Sequence, residues 1–190
     1  MKLRALFASL IFGVLAFATS AANATTVHFT TADATEAVSC CGPVSPTAWS
    51  GSGLTVLGAY YYFDPRDTFD REGLSVFPVG GPGTASIIFA SVTPTVTVDY
   101  WSIGGHSVSV SAYDAGHLLL GTVGVGGAVD SFGTHTFGGG VKSLEWSGDG
   151  GFAQISTVTF AVPEPETYAL MLAGLGLLGF VARRRKQQAA

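Results

Sequence analysis

The sequence predicts an all-β protein, an antiparallel β-sandwich of jelly-roll type, flanked by an N-terminal signal-peptide helix and a C-terminal transmembrane helix. Three observations carry this prediction. Short segments between residues 25 and 161 alternate apolar and polar side chains with period two. Glycine-rich turn signals separate them at short spacing. Both chain ends, in contrast, hold uncharged apolar runs next to basic clusters.

The chain has 190 residues, enough for one domain with a core of its own. It opens Met1-Lys2-Leu3-Arg4, a short basic region. Ala5 to Ala18 follows, apolar throughout except for Ser9. Ala22-Asn23-Ala24 then gives the small-x-small pattern that signal peptidase accepts, and cleavage is expected after Ala24. A run this short is a poor membrane span. Residues 1–24 are therefore set apart from the fold.

Residues 25–161 make up the exported domain. Its first strand is expected over Thr26 to Thr30 and its next over Leu54 to Phe63. Ala85 to Val92 is more continuously apolar, suited to a central position. Val96, Val98 and Tyr100 alternate with Thr97, Asp99 and Trp101. Val108, Val110 and Ala112 alternate with Ser107, Ser109 and Ser111, the pattern of a half-buried strand. Leu118 to Val125, Ser131 to Phe137, Val141 to Trp146 and Phe152 to Ala161 complete the set. The intervening turns include Gly80-Gly81-Pro82-Gly83, Gly104-Gly105, Gly126-Gly127 and Gly138-Gly139-Gly140.

This domain carries three basic residues (Arg66, Arg71, Lys142) against eleven acidic ones, a formal charge of −8. Such a balance argues against nucleic acid and anionic lipid as partners, both of which call for a basic footprint. Neutral glycans and cations remain compatible with it.

The C-terminal segment, 162–186, has three parts in fixed order. Val162-Pro163-Glu164-Pro165 comes first, then the uncharged run Tyr168 to Ala182, then Arg183-Arg184-Arg185-Lys186; residues 187–190 form the end. As a helix the apolar run 168–182 would measure roughly 22 Å, and snorkelling basic side chains would help it meet a hydrocarbon core of about 30 Å. The basic cluster holds the C-terminus in the cytoplasm and places the domain outside, where the signal peptide also sends it. Pro163 and Pro165 bar helix formation and leave an extended strip open to a protease.

On these residues the tail resembles the PEP-CTERM sorting domain of exopolysaccharide-producing bacteria. The same tail is sometimes labelled an ice-binding protein C-terminal domain, a label that by itself implies no ice binding. The resemblance implies a Gram-negative host. It also implies recognition of Pro163-Glu164-Pro165 by a membrane-embedded exosortase, transient residence in the inner membrane, and transfer to the cell surface or the extracellular polysaccharide. The middle of the chain also resembles β-sandwich domains that precede such tails, with a tyrosine-rich strand and an Asp-rich loop (Tyr60 to Asp70). In those domains the last strand often begins Ile-Asp-Asp. Here Ile155 is followed by Ser156 and Thr157.

Candidate chemistry is sparse. Asp64, Asp67, Asp70 and Glu72 put four carboxylates in nine residues, a candidate calcium loop, without the spacing of an EF-hand. Cys40 and Cys41, the only cysteines, are too close for an ordinary disulfide staple. A vicinal disulfide, intermolecular pairing and free thiols stay open, and the favoured reading is an incidental surface pair. None of His28, His106, His117 and His135 pairs with another at metal-ligand spacing. Trp101 falls on the polar phase of its strand, which makes it the best candidate for an exposed aromatic in contact with a ligand, the alternative being that the second sheet covers it; Tyr113 is a second candidate for ligand contact. Nucleophile-elbow, P-loop and dinucleotide fingerprints are missing from the sequence. The expectation is a non-enzymatic exported surface or matrix protein, with a lectin-like, optionally calcium-assisted carbohydrate-binding module as the alternative.

Overall fold

The computed structural model describes residues 23–63, 72–76, 83–102, 106–126, 131–148, 153–162 and 173–178. Ala24–Val162 forms one compact unit built of antiparallel β-structure. Its strands are β1 (Asn23–His28), β2 (Leu54–Leu57), β3 (Ala59–Phe63), β4 (Glu72–Val76), β5 (Gly83–Ser102), β6 (Val108–Tyr113), β7 (Leu119–Val125), β8 (Ser131–Gly148) and β9 (Ala153–Val162). Hydrogen-bonded order runs β3-β4-β9-β5-β8-β6-β7, with β1 added to β9 and β2 added to β5.

Two long strands turn this sheet into a sandwich. The first part of β5 pairs with β2 and with the end of β8, from Leu54↔Phe89 to Gly83↔Gly148. The second part of β5 pairs with the start of β8 and with β9, as at Val98↔His135 and Val98↔Val158. Between them the β5–β8 register shifts twice, at Ile88/Thr93 and Thr93/Thr95. Bulges of this kind bend a strand from one layer into the other.

The bend explains a departure from the sequence reading. Gly138-Gly139-Gly140 reads as a turn between two strands, yet it lies inside β8. Gly139 and Gly140 take φ of 92° and 86°, a region closed to most L side chains. They supply the kink without ending the ladder. In the same way the expected strands 85–92 and 96–101 are two halves of β5. The expected strand Leu54 to Phe63 is instead cut in two at Gly58, φ 68°. Strand β4 escaped the sequence reading because Glu72 and Gly73 continue an acidic, loop-like stretch.

Broken ladders leave carbonyls to satisfy. Lys142 on β8 supplies the donor: its Nζ donates to Phe89 O at 2.5 Å and Ala90 O at 3.0 Å, next to the first register shift. The Thr93 hydroxyl donates to Thr95 O at 3.0 Å within the bulge.

The core lies between the layers. Ile87, Val110, Leu144 and Trp146 of one layer and Leu74, Val98, Ile155 and Val158 of the other belong to one buried cluster. Phe89 and Phe160 meet across it edge to face, ring centres 4.9 Å apart. Burial of each large side chain stabilises by about 1.5–3 kcal/mol. Tyr100 lies directly over Gly133, where any Cβ would fall 2.5 Å from the ring, so only glycine fits opposite it.

Residues 173–178 are helical, inside the predicted span 168–182. Among the described residues no helix is long and apolar enough to cross a membrane. The predicted transmembrane helix is thus not supported by the structure. Positions 168–172 and 179–182 lie outside the described residues, as do residues 1–22 of the predicted signal peptide.

Candidate functional site

The sorting strip begins where the sandwich ends. Strand β9 runs to Val162, one residue short of Pro163. Proline has no N–H to give to a ladder. Pro163, Glu164 and Pro165, the cluster Arg183 to Lys186, and Ala22 of the expected cleavage site lie outside the described residues. Ala24 is exposed in β1.

Trp101 is not the exposed aromatic the sequence suggests. It is only 3 % exposed, and its ring stacks on Phe132 of β8 at 6.0 Å and 11°. Phe132 is the exposed ring, at 59 %. The reading failed because period two identifies which side chains share a face, and the outer face of a sheet can still be covered. Phe132 went unnoticed because Phe132-Gly133-Thr134-His135-Thr136-Phe137 puts one aromatic on each phase.

Cross-strand register orders this outer face. Phe132, Trp101 and Gln154 stand in one row. The next row holds Thr134, Asp99 and Thr157, and the one after it Thr136, Thr97 and Thr159. Hydrogen bonds tie the rows. Thr134 Oγ1 donates to Asp99 Oδ1 at 2.6 Å, Thr97 and Thr136 hydroxyls meet at 2.8 Å, and Thr159 meets Thr26 of β1 at 3.0 Å. His28 Nδ1 lies 3.3 Å from Thr157 Oγ1. Gln154 is fully buried, and among the described residues neither end of its amide has a hydrogen-bond partner. Its Oε1 lies over Gly73 of β4.

Tyr113 sits on the other layer, so the structure does not bring it to Trp101. Its ring meets His117 edge on at 4.5 Å, and His117 Nε2 lies 3.4 Å from Glu145 Oε1. Trp49 and Trp146 are buried at 0 % and 1 %.

Of the candidate calcium ligands, Asp64, Asp67 and Asp70 lie outside the described residues. Glu72 opens β4, and its Oε2 accepts a hydrogen bond from the Tyr61 hydroxyl at 2.7 Å. Burial, and secondarily Glu72, pushes the Tyr61 phenol well above its ordinary range. Among the described residues no three His, Cys, Asp or Glu side chains gather into a metal-binding group.

Cys40 and Cys41 form a vicinal disulfide, Cα atoms 3.5 Å apart, which corrects the reading of an incidental pair. Cys41 takes φ of 72° within it. The loop then runs along β3, with Val44 N donating to Ala59 O and Tyr61 N to Gly42 O.

A cleft of about 370 Å³ lies beside the 3-10 turn Ser50–Ser52. Phe89 and Phe160 form its apolar part, and Thr25, Ser50, Ser52 and Ser91 contribute hydroxyls. Among the described residues, no carboxylate, histidine or cysteine lines it.

Residues 161–186 match the family described as the PEP-CTERM protein-sorting motif, and the chain carries that motif. No curated protein matches the chain. Several solved structures are similar to this chain at low identity. The CBM36-1 domain of a multidomain xylanase from the hindgut metagenome of Trinervitermes trinervoides is 15 % identical, with 75 % of this chain and 99 % of that one covered, at a TM-score of 0.36. The carbohydrate-binding module CBM6cm-2 of Cellvibrio mixtus lichenase 5A, solved with cellotriose, is 12 % identical over 74 % and 98 %, at 0.35. The K1 cleaved adhesin domain of Lys-gingipain from Porphyromonas gingivalis is 11 % identical over 75 % and 99 %, at 0.45.

Proposed function

We propose that this protein is an exported, exosortase-sorted surface or extracellular-matrix protein of a Gram-negative bacterium, and that it works without catalysis. One observation carries the reading: a PEP-CTERM motif at 161–186 begins at the last residues of β9, the final strand described in the β-sandwich. In this account signal peptidase removes residues 1–24. The apolar run 168–182 and Arg183 to Lys186 hold the precursor in the inner membrane. The proline pair keeps the recognition strip extended, and an exosortase cuts near it. The acidic sandwich is then delivered to the surface or to the polysaccharide around it.

Replacing Pro163, Glu164 and Pro165 together by alanine tests this. The variant should accumulate at full tail length in the inner membrane, while the wild type is shortened and leaves it. Identical size and location for the two would refute exosortase sorting.

A second reading, a lectin-like carbohydrate-binding module, is favoured by one feature, the exposed Phe132 ring braced on buried Trp101. The C–H faces of pyranoses stack on such rings, and the adjoining Thr134, Asp99 and Thr136 offer hydrogen bonds to sugar hydroxyls. Calcium at Asp64, Asp67, Asp70 and Glu72 would assist this reading, with one Glu72 oxygen already engaged by Tyr61. Affinity electrophoresis of the wild type and Phe132→Ala through gels of hydroxyethyl cellulose, xylan and laminarin tests it, with and without chelator. Retardation lost in Phe132→Ala supports the module, and equal mobility in all gels rejects it.

A further inference from the structure

The sheet edges of the sandwich are treated unequally. An open edge presents unpaired N–H and C=O groups that another strand can use, and folds commonly blunt it. Here three edges are blunted by the chain itself. On β3, residues 42–44 pair with Ala59 and Tyr61, and Pro43 bridges Tyr60. On β2, Val56 N donates to Pro46 O at 3.2 Å. On β1, His28 N donates to the Asp33 carboxylate at 3.0 Å.

Among the described residues, strand β7 has no such cover. It closes the hydrogen-bonded order at the far end, and among the described residues β6 is its one ladder partner. Its sequence, Leu119-Leu120-Gly121-Thr122-Val123-Gly124-Val125, holds no proline and no charge. Leu118 and Leu119 at its start are 67 % and 52 % exposed. A seven-residue edge with β-branched side chains and no gatekeeper is a ready template for another strand.

We infer that β7 is a homotypic interface, on which a second copy of this chain pairs antiparallel about a twofold axis and continues the sheet across two molecules. Electrostatics favour this occupant at this place. The exported domain carries a formal charge of −8, so two copies repel over most of their surfaces. The stretch Leu118 to Gly127 carries no charge. It is an edge along which two acidic copies can approach without opposing carboxylates. An antiparallel pairing is also self-complementary, as a twofold interface must be.

Sedimentation velocity on the protein recovered from its host, over a rising concentration series, tests the inference. The wild type should shift from monomer to dimer. The double variant Leu119→Lys with Thr122→Lys, both at exposed positions, should stay monomeric at concentrations at least about tenfold higher. Leu57→Lys, on the blunted β2 edge, should dimerise like the wild type. A wild type that remains monomeric throughout overturns the inference, and so does a double variant that dimerises normally. Neither result bears on exosortase sorting, which is read from the tail.

Discussion

Phe132 and Trp101 lie face to face across the β8–β5 pair, 6.0 Å and 11° apart, with opposite exposures: 59 % for Phe132 and 3 % for Trp101. The two rings therefore have separable roles. Trp101 is a packing residue, and Trp101→Ala should cost about 3–5 kcal/mol. Phe132→Ala should cost about 1 kcal/mol, the worth of the stacked contact. Urea unfolding of both variants checks the difference. Equal losses would mean that Phe132 is part of the packing rather than a presented ring.

Lys142 gives a second test. Its ammonium bonds two carbonyls of β5 at the break in the β5–β8 ladder. Lys142→Met keeps the stem and removes the donor, leaving Phe89 O and Ala90 O short of a partner. A loss of about 1.5–3 kcal/mol is expected, the range for hydrogen bonds to a charged group. A change near zero in the urea midpoint would show that Lys142 does not hold the bend.

Alkaline pH gives a third. Burial raises the phenols of Tyr61 and Tyr100 above the ordinary value of 10.0. The unfolded chain then releases protons from these groups at lower pH than the folded one. Below about pH 10 both states keep the proton and the full stability is present. Above it the unfolded state binds fewer protons, so stability falls as pH rises. Urea midpoints should be level up to about pH 9 and drop by about pH 11. Absorbance near 295 nm should show two tyrosines ionising only on unfolding. Ionisation of Tyr61 and Tyr100 near pH 10 in the folded protein would contradict the burial.

The cysteines give a fourth. Cys40 and Cys41 are exposed and bonded to each other. Iodoacetamide should add nothing to the native or denatured protein before reduction, and two groups after it. The bridge closes no chain loop, so in the loop-entropy view it contributes little to the stability of the unfolded-to-folded balance. Replacing both residues by serine should shift the urea midpoint by less than about 1 kcal/mol equivalent. Alkylation of unreduced protein would show that the bond is not formed.

The sandwich was legible because period two and glycine turns are local signals. Val108 to Ala112 alternates as expected, and the residues facing in are those buried. What escaped was tertiary. Nothing in Gly138-Gly139-Gly140 distinguishes a turn from a bend within one strand until β5 and β8 are paired. Trp101 keeps the outward phase foreseen for it, yet burial depends on what covers that phase. The neighbours of Lys142 lie more than fifty residues away, so its role has no sequence signature. The sorting strip, in contrast, is written in consecutive residues, Val162 to Lys186, and needs no fold to be read.

The intact mass of the protein recovered from the envelope and medium of its host tests the central claim most directly. The account predicts a species that starts near Thr25 and ends around Pro163 to Glu166, found outside the inner membrane. A species still carrying Tyr168 to Ala190 and confined to the inner membrane would contradict it.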